Sequence, residues 1–312
     1  AGLMLVNTTS GTITLQENAL LAANAITFNS DTGTIVLPSA VALPGRLSFI
    51  GAQVTNTDQN LIVSAQELLL KASENQDLVI NVNGTIVDIS MLGDGDLQVN
   101  SSSGLTVADL DADGSAVSVS NGNVLLNTLA GNLNIEADVS ASDTAVNGVR
   151  SGMIELSVTG GDLIVGLLNP VAITSTNNVD QNESGGLTDA SDSQVSIYAH
   201  LNGQDNVNRT ITLGDSNGDD VTLLAVGGDI TLDAFNGANF VNANNRNVLI
   251  NTDVTLTSYN QVSDEQTGTV TSEGIVNNGL VQAHLNRQIS LIANGISLSQ
   301  DEIEVIKETV AN

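Results

Sequence analysis

Aliphatic residues recur along the chain in short alternating triplets, each opened by a glycine. The pattern Gly, Asp or Asn, aliphatic, any residue, aliphatic appears at Gly95-Asp96-Leu97-Gln98-Val99, Gly122-Asn123-Val124-Leu125-Leu126 and Gly131-Asn132-Leu133-Asn134-Ile135. It returns at Gly161-Asp162-Leu163-Ile164-Val165 and Gly228-Asp229-Ile230-Thr231-Leu232, and a Thr version occupies Gly11-Thr12-Ile13-Thr14-Leu15, Gly33-Thr34-Ile35-Val36-Leu37 and Gly84-Thr85-Ile86-Val87. Aliphatics two apart project to one face of a strand, as Leu78, Ile80 and Val82 also would, and as Ile154, Leu156 and Val158 would around an outward Glu155. Glycine followed by Asn or Asp is expected to accept the positive φ of a tight turn. Strands this short cannot bury an apolar face alone, so the pattern predicts that they stack in register around a continuous aliphatic interior. Between residues 84 and 135 the turn glycines fall at 84, 95, 104, 114, 122 and 131. A repeating unit of two or three strands then takes roughly 20 to 30 residues.

The expected fold class is therefore all-β, a right-handed parallel β-helix (β-solenoid) over residues 1–298 with a short C-terminal helix or tail over 299–312. Loop insertions are expected near 174–194 and 258–275, where Asn, Ser, Thr, Asp and Glu crowd together without a pattern. In the tail, Ser299 and Glu302 form a capping box, and Ile303, Ile306 and Val310 share one helical face. Ser64 and Glu67 make a second capping box before Leu68-Leu69-Leu70. That segment reads either as a single helical turn or as strand. Tandem immunoglobulin-like or cadherin-like sandwiches also give many short strands, but they usually carry a core Trp or several Tyr.

Composition narrows the picture. There is no Trp, and aromatics make up 2% of the chain, so Val, Ile, Leu and Ala must fill a narrow, repetitive core. Against 7 basic residues stand 35 acidic ones, for a formal charge of −28, a field that repels nucleic acid and anionic lipid and attracts cations. No Cys is present, so disulfides, thiolate metal sites and thiol nucleophiles are excluded. No apolar run approaches the roughly 18 residues of a membrane span, so no membrane insertion is expected. The opening Ala1-Gly2-Leu3-Met4-Leu5-Val6 reads as a strand interior, and the chain is expected to be a processed product or a piece of something longer.

The Gly-Asn/Asp-aliphatic repeat, the shortage of aromatics and Cys, and the Asn, Thr and Ser at outward positions resemble the β-helical shafts of filamentous-haemagglutinin-like bacterial exoproteins and giant adhesins. The resemblance covers about residues 1–298. It implies export to the cell surface and a role in adhesion, biofilm matrix or filament formation. The uneven repeat lengths depart from the regular family pattern and leave the register open.

Local chemistry is sparse. Asp109-Leu110-Asp111-Ala112-Asp113-Gly114 places carboxylates on alternate residues before a Gly, an arrangement that can surround a hard cation. It is not an EF-hand, because the twelfth position is Ser120; the alternatives are a simpler Ca2+ loop between strands and a solvated acidic turn. The run from Asp215 to Asp220, with Asp215, Asn217 and Asp219 as candidate ligands, has similar oxygen density but poorer spacing. The two histidines sit in matching contexts, Ala199-His200-Leu201-Asn202 and Ala283-His284-Leu285-Asn286, which reads as a diverged structural repeat rather than a metal pair. With five scattered Arg and no nucleophile motif, phosphate loop or zinc signature, no enzymatic activity is expected; a polysaccharide-acting β-helix enzyme is the minor alternative. Thr-x-Thr pairs are too few for an ice-binding face. Two functions remain: a rigid, Ca2+-stiffened adhesin shaft that projects a region for a cell-surface or matrix ligand elsewhere in a longer chain, and a subunit that self-associates through its chain ends into a filament, sheath or surface layer.

Overall fold

The computed structural model describes residues 2–17, 21, 23–56, 60–74, 77–142, 152–176, 195–202, 209–214, 220–226, 228–234, 246–250, 252–259, 269–273, 278–283 and 288–292. The first part supplies β1 (Leu3–Thr8), β2 (Ile13–Thr14), β3 (Ala25–Leu37), β4 (Ala40–Ala42), β5 (Arg46–Asn56), β6 (Leu61–Ser64), β7 (Glu67–Ala72), β8 (Leu78–Val82) and β9 (Ile86–Asp94). There follow β10 (Leu97–Ser101), β11 (Leu105–Val107), β12 (Ser115–Asn121), β13 (Val124–Thr128), β14 (Leu133–Ile135), β15 (Asp138–Ser142), β16 (Ile154–Val158), β17 (Leu163–Val165) and β18 (Val171–Thr176). The last are β19 (Val195–Leu201), β20 (Arg209–Leu213), β21 (Val221–Val226), β22 (Asp229–Asp233), β23 (Arg246–Ile250), β24 (Thr252–Tyr259), β25 (Thr269–Glu273), β26 (Asn278–Ala283) and β27 (Gln288–Ile292). The fold is all-β, with no helix among the described residues.

The strands form two sheets, one of 17 and one of 10 strands, and the chain crosses back and forth between them. Every pairing is parallel, as crossing chains require. In the smaller sheet Ile80 pairs with Val99, Val99 with Leu126, Leu126 with Leu156, Leu156 with Ala199 and Ala199 with Leu232. All six are at most 1% exposed. The larger sheet repeats the device along Ile89, Val117, Val139, Ile173, Leu223 and Leu256, and both rows belong to one continuous aliphatic cluster. Each such side chain contributes about 1.5–3 kcal/mol by leaving water. Phe28 and Phe49, register partners in β3 and β5, stack with ring centroids 5.6 Å apart.

Repeat length varies, and the register shifts within β3/β5, β9/β12, β12/β15, β19/β22 and β24/β26. Asn29 bonds back 22 residues to Asn7, Asn100 bonds back 19 to Asn81, Asn123 back 27 to Asp96 and Met153 back 30 to Asn123. The extra residues leave at corners. The continuous β9 is matched one repeat later by β11 and β12, which pair with Val87 and Ile89 respectively, so the segment between Val107 and Val117 bulges out opposite Asp88. Among the described residues, sequential stacking is interrupted where β27 lies between β22 and β25.

The structure bears on three readings of the sequence. The capping box at Ser64 and Glu67 opens no helix: Ser64 closes β6 and Glu67 begins β7. Leu68 and Leu70 face the core, and the intervening Leu69, also buried, disguises the alternation. Within the expected loops, 174–176 belongs to β18, 258–259 to β24, and Thr269–Glu273, with its alternating Thr-Val-Thr, forms β25. The rest of both segments, and the tail at 299–312, lies outside the described residues. The two histidine contexts are not equivalent, because Ala199-His200 lies on β19 of the smaller sheet and Ala283 ends β26 of the larger one; His284 itself is outside the described residues.

The glycine-Asn/Asp motif has a different basis from a shared positive φ. Gly84 and Gly131 do adopt positive φ, but the one described non-glycine residue that does so is Ala112. At Gly33, Gly122 and Gly161 the requirement is room. A Cβ there would lie 2.0 Å from Gly11 O, 2.0 Å from Gly95 O and 2.3 Å from Gly131 C, in the neighbouring repeat. The adjoining Asn or Asp is an acceptor. Asp96 Oδ1 takes the Asn123 N–H at 2.7 Å, Asn123 Oδ1 takes that of Met153 at 2.9 Å, and Asn132 Oδ1 takes that of Asp162 at 3.0 Å.

Candidate functional site

The acidic segment at 109–114 is the bulge between β11 and β12. Asp109 organises it from within. Its Oδ1 accepts the backbone N–H groups of Asp111 (3.1 Å), Ala112 (2.6 Å) and Asp113 (3.3 Å), and its Oδ2 accepts that of Gly114 (2.8 Å). Ala112 and Gly114 take positive φ to direct those amides inward. Desolvation pushes the Asp109 carboxyl upward, but the four N–H donors outweigh it and hold the group below its ordinary value. Asp109 is thus the acceptor around which the turn closes.

Two residues from earlier repeats complete the cluster. Asp88 of β9, 1% exposed, accepts the Leu110 N–H at 2.8 Å. Lys71 of β7 donates to Asp113 Oδ2 at 2.6 Å and also pairs with Asp111 Oδ2. Burial raises Asp88 to about 6; the Leu110 N–H and Lys71 oppose that rise, and the Asp111 and Asp113 charges add to it. Desolvation works to lower Lys71, yet hydrogen bonds and charge from Asp111 and Asp113 leave its ammonium above the ordinary lysine value. Lys71, with help from the Ser115 N–H, holds Asp113 below the ordinary carboxylate value.

Oxygens of Asp88, Asp109 and Asp111 lie within 4.8 Å of one another, a set that could hold a metal ion. Nothing in three carboxylates selects Ca2+ over another hard cation. Asp113, the third ligand expected from sequence, instead faces the Lys71 ammonium, so a positive charge is already supplied by the chain. Asp215, Asn217 and Asp219 lie outside the described residues. Sequence reasoning missed Asp88 and Lys71. The available signals were a charged residue inside the aliphatic run of β9 and the presence of only two Lys in the chain.

A second polar cluster lies on the outward face of the smaller sheet. His200, 4% exposed, stacks on Tyr198 with ring centroids 4.3 Å apart. Its Nε2 lies 2.9 Å from Glu155 Oε1 and its Nδ1 lies 3.2 Å from Asn202 Oδ1, while Asn202 Nδ2 donates to Ser157 Oγ at 2.7 Å. Burial raises the Tyr198 hydroxyl to about 12, helped by the charges of Asp233 and Glu155. The cluster joins β16 to β19 across 45 residues of sequence. It extends the row of outward Asn81, Asn100 and Asn127 on the preceding strands.

No protein-family model, curated protein or solved structure matches this chain.

Proposed function

We propose that the chain is a right-handed parallel β-solenoid that serves as a structural or adhesive shaft of an extracellular, cell-surface protein. The observation that supports it is the parallel stack, in which one aliphatic core runs through both sheets although repeat length varies. Such an arrangement is quasi-one-dimensional, and it sets distance and stiffness. The chemistry-bearing side chains favour the same reading. Lys71 and Asp88 tie separate repeats together, Asp109 closes a turn, and His200 and Glu155 bridge two strands. The charge of −28 suits a solvated exterior that resists lateral aggregation.

Two measurements test the two parts of this reading. Ser118 and Ser140 are register neighbours whose hydroxyls lie 3.2 Å apart, and the chain has no Cys, so a Ser118→Cys, Ser140→Cys variant reports on stacking. Rapid oxidative closure is expected for this pair and not for Ser118→Cys with Thr174→Cys, one repeat further along. Equal closure of both pairs would reject the stack. For location, antibodies to the chain should label intact, unpermeabilised cells that produce it. A signal that emerges only after lysis would reject the surface role.

A further inference from the structure

Five strands of the smaller sheet, β4, β6, β8, β10 and β13, contain no charged residue, in a chain of formal charge −28. Burial alternates along each of them, so every second residue faces outward. The outward set includes Ile62, 50% exposed, the half-buried Val79 and Leu125, and the amides of Asn81, Asn100 and Asn127. Charge returns to this face further along the stack, at Glu155 of β16, the register partner of Leu125, and at Asp233 of β22.

This uncharged window is ordered before anything meets it. Asn81 Nδ2 donates to Asn60 Oδ1, Asn100 Nδ2 donates to Asn81 Oδ1 at 3.3 Å, and Gln98 Nε2 donates to Asn100 Oδ1 at 3.0 Å. Amides tied into a ladder have little rotamer freedom left to lose on association. Strands succeed one another about every 4.8 Å, and the outward side chains form ridges at that pitch. A second parallel stack presents ridges at the same pitch, so the two sets can interdigitate as they do between packed sheets of identical strands. Electrostatics favours the same contact. It leaves the exposed Asp77 and Asp96 of both copies at its rim, where water and salt reach them, whereas contact through a charged face buries acid against acid.

We propose that this window is a contact between two copies of the chain, which lie face to face with their stack axes opposed. Opposed axes send Glu155 and Asp233 of the two copies to opposite ends of the contact, whereas parallel axes set each against its own counterpart. Five strands of about five residues give a footprint of roughly 24 by 16 Å, about 400 Å2 on each copy, against roughly 800 Å2 per partner in a standard interface. The pair is therefore weak and reversible. The inference rests on the solenoid reading above and adds its partner.

Sedimentation equilibrium of the full chain up to about 1 mM should show monomers and dimers, with dimers favoured as NaCl rises from about 0.05 to 1 M and screens the two acidic copies. Val79→Glu puts a carboxylate inside the contact on each copy and should weaken dimerisation by about tenfold or more. Mixing that chain with Val79→Lys should restore association, which misfolding would not do. Thr174→Glu adds the same charge to the outward face of the larger sheet and should leave dimerisation unchanged.

Because the chain has no Cys, single cysteines read the arrangement. Ile62 and Asn127 lie in one outward row, linked in register through Asn81 and Asn100. With opposed axes, Ile62 of one copy lies within about one strand step, about 5 Å, of Asn127 of the other and at least about two steps from its own counterpart. Oxidation of mixed Ile62→Cys and Asn127→Cys chains, one of them mass-labelled, should join the two kinds. Disulfides within each kind alone reject the opposed arrangement. Monomers at every concentration overturn the proposal, as does equal weakening by Val79→Glu and Thr174→Glu. The Ser118/Ser140 cysteine pair separates the two failures. Monomers that still form that cross-link reject only the contact between copies, and loss of the cross-link rejects the solenoid beneath it.

Discussion

Replacing Asp88 by Asn should stabilise the protein at neutral pH and leave it unchanged in mild acid. Asp88 is 1% exposed and its carboxyl is held at about 6 rather than 3.8, chiefly because burial disfavours the charge. At about 1.4 kcal/mol per tenfold, ionising it in the native state costs up to about 3 kcal/mol. Water entry and relaxation of the corner reduce this, so about 1–3 kcal/mol is expected. The sign follows from proton binding. Between pH 3.8 and about 6 the native chain holds a proton that the unfolded chain has lost, so the favourable contribution is full below that window and disappears as pH rises through 6. The carboxamide of the variant keeps an oxygen to accept the Leu110 N–H and offers its NH2 group to the neighbouring carboxylates. Thermal melts of wild type and variant at pH 4, 6 and 8, in one ionic strength, read the difference directly. The variant should melt higher at pH 8, with the gap closing toward pH 4. A variant that is less stable at pH 8 by an amount independent of pH would show that the Asp88–Lys71 attraction dominates, and the desolvation argument would be wrong.

Other perturbations test other parts of the structure. Gly122→Ala puts a Cβ 2.0 Å from Gly95 O and should cost about 2–4 kcal/mol, whereas Gly2→Ala, with nothing within 4 Å, should stay within about 0.5 kcal/mol; equal melting temperatures would refute the close-approach argument. Phe49→Ala removes a fully buried ring stacked on Phe28 and should cost about 3–5 kcal/mol in denaturant unfolding, while a loss under about 1 kcal/mol would mean the core collapses around it. Lys71→Met frees Asp111 and Asp113, so millimolar Ca2+ should raise the melting temperature of this variant more than that of wild type; an equal rise in both would show that Lys71 and the ion do not compete.

Much of the fold was legible because parallel stacking imposes one rule on every strand. Leu97 and Val99, Val124 and Leu126, and Ile154 and Leu156 declare their inward faces locally, and the stack follows from repetition. The motif glycines were found for a partly mistaken reason, since contact between repeats, rather than φ, decides Gly122 and Gly161. Leu68-Leu69-Leu70 was ambiguous because a third consecutive leucine masks a period of two. The acidic corner was half legible. Asp109, Asp111 and Asp113 are neighbours in sequence, but Asp88 reaches Leu110 across 22 residues and Lys71 reaches Asp113 across 42. Those partners are set by which repeat lies beneath which, and uneven repeat lengths erase that information from any local window. The Glu155–His200 contact was hidden for the same reason.

Among the described residues, the corner side chains that accept a backbone amide from a later repeat point one way along the chain. Asp77 receives the Asp96 N–H, Asp96 that of Asn123, Asn123 that of Met153, and Asp162 that of Thr210; Asp88, Glu136 and Asp138 do the same for Leu110, Leu168 and Ala172. In each case the earlier residue accepts and the later one donates. A chain emerging from its N-terminus would therefore meet, at these corners, a finished surface whose side-chain oxygens already wait for the next amide. Truncation should be correspondingly lopsided. Trimming from the C-terminal side leaves carboxylates and carboxamides that water readily solvates, while trimming from the N-terminal side strips acceptors from amides held at a corner. Growth of such a chain has a direction written into its side chains, independent of the symmetric backbone ladders they accompany.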